Sequence, residues 1–94
     1  MSLKAARPKL NAAIKAWGQA MEARTKTGQN VFLLHALEYA VGAISELPAE
    51  SETSEELQEA VYLIADSLSR PATLRDTVYR RTAKHLASAV EWLG

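Results

Sequence analysis

The chain contains no cysteine, which excludes disulfides and thiolate metal sites and leaves both reducing and oxidising compartments open. Prolines number three (Pro8, Pro48, Pro71) and glycines four, too few for a loop-rich or low-complexity chain. Aromatics make up 6% of the 94 residues, while alanine and leucine are prominent, a balance that favours helix. No membrane-length apolar run exists: the most apolar stretch, VFLLHALEYAVGAISEL, is interrupted by His35, Glu38 and Glu46 and is expected as a buried helix. Also missing are a glycine-rich phosphate loop, a nucleophile elbow and a paired His-Glu-His arrangement, so no catalytic signature of those kinds points to an enzyme and no cofactor is implied.

Asn11 and Lys15 break the apolar run that a secretory signal would need. The basic, amphipathic residues 1–21 also fit a transit peptide, but their stripe matches that of the later segments, so they are expected as the first helix of a cytoplasmic domain.

Four segments repeat apolar residues at three-and-four spacing. Leu3, Leu10, Ile14, Trp17 and Met21 define the first, with the main helix expected over 8–24 and Pro8 at its start. TKTGQN is a polar break. Leu33, Leu37, Ala40, Ile44 and Leu47 define the second segment, which Pro48 ends. Its polar positions His35, Glu38, Gly42 and Ser45 form one narrow stripe, so it is expected to be the most buried of the four. A capping box of Thr53 and Glu56 is expected to start the third helix, with Leu57, Val61, Ile64 and Leu68 as its stripe. Ser69, Arg70 and Pro71 interrupt the pattern before Tyr79, Ala83, Leu86, Val90 and Leu93. Short connections predict one all-α domain over 1–94, an up-down four-helix bundle. Ala36, Ala43 and Pro48 echo a tetratricopeptide unit, but no first helix of such a unit and no second copy accompany them.

Net charge is zero, yet the charges are strongly segregated along the chain. Residues 1–28 sum to +5, residues 29–69 hold eight acids and no lysine or arginine, and residues 70–94 sum to +3. Ion pairs between basic outer helices and acidic inner ones account for part of this, each with little gain in stability. Glu52, Glu55, Glu56 and Glu59 fall on one helical face and form a negative surface suited to a basic protein partner, some of them also complementing the helix dipole. Leu74, Val78 and Trp92 form an apolar row outside the main stripe of the fourth helix, with His85 at its rim. Trp92 is the expected anchor for a partner or for a homodimer. The expected function is therefore a small protein-interaction module.

A second function reading rests on YRRTAKHL. Arg80, Arg81 and Lys84 form an outward basic strip, small for duplex binding. The Arg80-x4-His85 spacing resembles the R-x4-6-H motif of HEPN domains, helical bundles many of which are metal-independent ribonucleases working as dimers. The resemblance covers six residues and the fold class. It implies His85 as general acid or base and Arg80 as the group that stabilises a pentacoordinate phosphate. On a straight helix a five-residue step turns about 140°, so the two would diverge unless a dimer brought them together. His35 and Glu38 fall short of a zinc site, which needs two further ligands.

Overall fold

A computed structural model describes residues 3–69 and 75–93. They form α1 (Leu3–Glu22), α2 (Lys26–Ser45), α3 (Glu52–Ser69) and α4 (Arg75–Leu93), with no strand among the described residues. The body measures 36 × 19 × 18 Å. A 20-residue helix is about 30 Å long, so all four run along the long axis. α1 packs on α2, α2 on α3 and α3 on α4, while α4 returns lightly onto α1; α1 and α3, like α2 and α4, are diagonal. Each adjacent pair for which a cross-link is seen is antiparallel. Lys9 of α1 meets Glu46 just past α2 at 3.2 Å, Glu56 of α3 meets His85 of α4, and Arg7 donates to the Leu93 carbonyl. The up-down four-helix bundle expected from the periodicity is the observed fold.

The core has two layers. Ala6, Leu10, Ala43, Leu47, Leu57, Ala60, Leu86 and Ala89 fill one end. Ala16, Ala20, Leu33, Ala36 and Ile64 fill the other, and Trp17 packs against both. Between α1 and α2 the buried positions are largely alanine: Ala13, Ala16 and Ala20 on one side, Ala36, Ala40 and Ala43 on the other. Such small side chains let two helix backbones approach closely, and α1 and α2 make the most intimate pair of the bundle.

Four expectations about the elements are corrected. α1 begins at Leu3, not near Pro8, which sits inside it. The turn before Pro8 is held by burial of Ala6 and by the Arg7 bond to Leu93, so the loss of one proline N–H is tolerated. The polar break ahead of α2 is shorter than TKTGQN, because Thr25 is its N-cap and accepts from the Gly28 N–H at 3.0 Å. A Cβ on Gly28 would stand 3.0 Å from that same Thr25 Oγ1, which explains a glycine inside a first helical turn. α3 is capped by Ser51, whose Oγ accepts from the Ser54 N–H at 3.1 Å and donates to the Pro48 carbonyl. Thr53 is buried and Glu56 turns to α4, so the expected capping box does not form. Finally, α2 is not the most buried helix: Val31, Leu34, Tyr39 and Val41 are all exposed on it. Its neighbours α1 and α3 cover one side only, and nothing in a four-helix square covers the corner that faces outward.

Candidate functional site

The acidic residues of α3 repeat at positions 52, 55, 59 and 66, spacings that place them along one side of a helix. Glu52, Glu55 and Glu59 are exposed and take part in no ion pair in the structure. Tyr62 joins the same row and is among the most exposed large side chains, at 67%. Glu56 departs from this outward row. It leans toward α4, where its Oε2 lies 2.6 Å from Nδ1 of His85, both side chains being about one-quarter exposed (27% each). With Gln58 these residues line an open cleft of about 590 Å³ between α3 and α4: Glu55, Glu56, Gln58, Glu59, Tyr62 and His85.

The cleft is therefore a shallow acidic cup with an aromatic at one side and a carboxylate-bound imidazole at its base. Its unpaired carboxylates attract cations, and the Tyr62 face offers a second, π-type contact for an ammonium or guanidinium group. The Glu56 carboxylate fixes the His85 ring, which was expected at the rim of an apolar row and instead closes this cup.

The remaining singled-out residues separate. Val78 is buried at 8% exposure inside the bundle, where the Thr82 hydroxyl donates to its carbonyl, so it presents almost no surface. Leu74 lies outside the described residues. Trp92 is 59% exposed. It lies two turns beyond His85 on α4, and because α3 and α4 are antiparallel this puts it at the end of the bundle where α3 begins. Of the expected apolar row, then, Val78 does not surface and Trp92 does.

Arg80, Arg81 and Lys84 are exposed and unpaired. Arg80 does not line the cup that holds His85, and the two diverge as helix geometry predicts. Within one chain the Arg80-x4-His85 spacing builds no common site. His35 and Glu38 are both exposed, with the His35 ring edge-on to Phe32 at 6.4 Å. Among the described residues no group of three or more histidines, aspartates or glutamates is placed to hold a metal ion, and no helix is long and apolar enough to cross a membrane.

Sequence reading missed Tyr62 and the Glu56–His85 contact. Tyr62 carried a signal, since it follows Glu55 and Glu59 on their own row. The contact spans 29 residues and needs the bundle topology to be seen. No protein-family model, curated protein or solved structure matches the chain.

Proposed function

We propose that the protein is a small non-enzymatic interaction module, an adaptor, inhibitor or assembly factor of the cytoplasm, which docks a basic segment of another protein on its α3/α4 face. The observation that carries this is the cup itself: exposed carboxylates of Glu55 and Glu59 with no internal partner, an exposed Tyr62 beside them, and Trp92 on the adjoining helix. Carboxylates that served only to fix topology would be paired across a helix seam, as Glu46 is with Lys9. Exposed tyrosine and tryptophan are the residue types that most often anchor an interface, and both accept arginine or lysine over the ring face. A lysine- and arginine-rich segment satisfies all of these groups together.

The rival reading keeps Arg80 and His85 as the centre of a HEPN-like ribonuclease, or Arg80, Arg81 and Lys84 as a nucleic-acid contact. The ribonuclease form of it requires a second copy to bring together Arg80 and His85, which diverge on one helix.

The test is Glu55→Lys together with Glu59→Lys. Both positions are exposed, and exposed charges each contribute at most ~1 kcal/mol, so the melting temperature shifts by only a few degrees. Capture of the partner from an extract of the native host, read by mass spectrometry, falls sharply for the variant. Unchanged capture, or a fold that collapses on charge reversal, would contradict the proposal.

A further inference from the structure

The loosest seam of the bundle, α1 against α4, leaves an apolar groove of about 330 Å³ lined by Ile14, Trp17, Ala83, Leu86, Ala87 and Val90. Cations border it on the α4 side. Arg80 lies three residues before Ala83, and Lys84 three before Ala87, so both stand on the row that edges the groove. Both are exposed and unpaired, with Glu91 the acid at the far end of that row. Across the bundle α2 presents the opposite arrangement. Leu34 (48% exposed) and Val41 (50%) flank an exposed Glu38 on one outward row, with no cation on the helix after Lys26. The two features match in length, since Leu34 and Val41, like Ala83 and Val90, lie seven residues apart, about 10.5 Å of helix. α2 and α4 are diagonal in the bundle, so a chain cannot seat its own ridge in its own groove.

We infer that the groove receives the α2 ridge of a second copy: Leu34 and Val41 cover the apolar floor, and Glu38 between them meets Arg80 or Lys84 at the rim. The contact joins two different surfaces. It is therefore heterologous and propagates head to tail, in contrast to a two-fold dimer built on one patch. It involves neither the acidic cup nor Trp92, and so stands independently of the docking function proposed above.

The experiment uses the full chain and two variants at exposed helical positions, Ala87→Glu in the groove wall and Leu34→Glu on the ridge. Each places a carboxylate against an apolar seat, and glutamate is well tolerated in helices. Sedimentation equilibrium at low salt reads the mass as a function of concentration. The wild type rises past two copies without a plateau and returns to the monomer at high salt, where rim charges are screened. Each variant alone sediments as a monomer with an unchanged thermal transition. An equimolar mixture forms a one-to-one pair and stops there, because one intact ridge and one intact groove remain while the second contact sets two carboxylates against each other. A wild type that stays monomeric through the micromolar range, one that stops at two copies, or variants that remain separate on mixing would each overturn the inference.

Discussion

Trp17 shows how a single residue serves both core layers of this bundle at a cost. It packs against the clusters at either end, yet its Nε1–H is buried without a hydrogen-bond partner. An unsatisfied buried donor costs about 1–3 kcal/mol, whereas the ring contributes through area and contacts. Trp17→Phe removes the donor and keeps most of the ring, so urea unfolding should place it within about 1 kcal/mol of the wild type, the relief offsetting the lost volume. Trp17→Ala should cost about 3–5 kcal/mol by opening a cavity at the junction of the layers. Equal losses in both variants would mean that the indole nitrogen is satisfied in solution. Caps act at the same scale. Ser51→Ala should destabilise by about 1 kcal/mol through the orphaned Ser54 N–H, while Glu56→Gln, which plays no part in capping α3, should leave that helix end unchanged by hydrogen exchange.

At the scale of the elements, the pairing of α1 with α2 depends on alanine. Ala36, Ala40 and Ala43 of α2 are fully buried, as are Ala13 and Ala20 of α1, so Ala40→Leu forces the two backbones apart and should cost about 1–3 kcal/mol, while Ala65→Leu on the exposed side of α3 should be nearly neutral. Thermal melts of the two variants decide this. Helix number, type and order were legible in the sequence because three-and-four spacing registers burial on a helix whatever the neighbour is. The boundaries were less legible. Pro8 signals a start only where nothing before it is buried, and Ala6 is fully buried. Ser51 competes with Thr53 as a cap on equal chemistry, and only the bond from Ser54 separates them. The burial of α2 was misread for a related reason: an apolar circumference shows what a helix can bury, and the number of neighbours decides what it does bury. The acidic row was legible from spacing alone. The inward turn of Glu56 and the burial of Val78 depend on where α3 and α4 cross, which periodicity does not encode.

The whole molecule is a charge-divided bar with zero net charge. α1 and α4, adjacent in the bundle, carry the basic ends of the sequence, and α2 and α3, adjacent on the opposite side, carry its acidic middle. Unpaired exposed charge of both signs on opposite sides does little for stability and much for orientation of encounter. On the proposals made above, that separation would let one small bundle use the α3/α4 face for a basic partner and the α1/α4 seam for an acidic, apolar ridge. The most direct test of the docking face is a ¹H–¹⁵N titration of the labelled protein, in parallel, with a lysine- and arginine-rich peptide and with single-stranded RNA. The peptide should shift the amides of Glu55, Glu59, Tyr62 and His85 and the Trp92 indole, and RNA should leave the spectrum unchanged. RNA shifting Arg80, Arg81, Lys84 and His85 while the peptide shifts nothing on α3 would contradict the docking proposal.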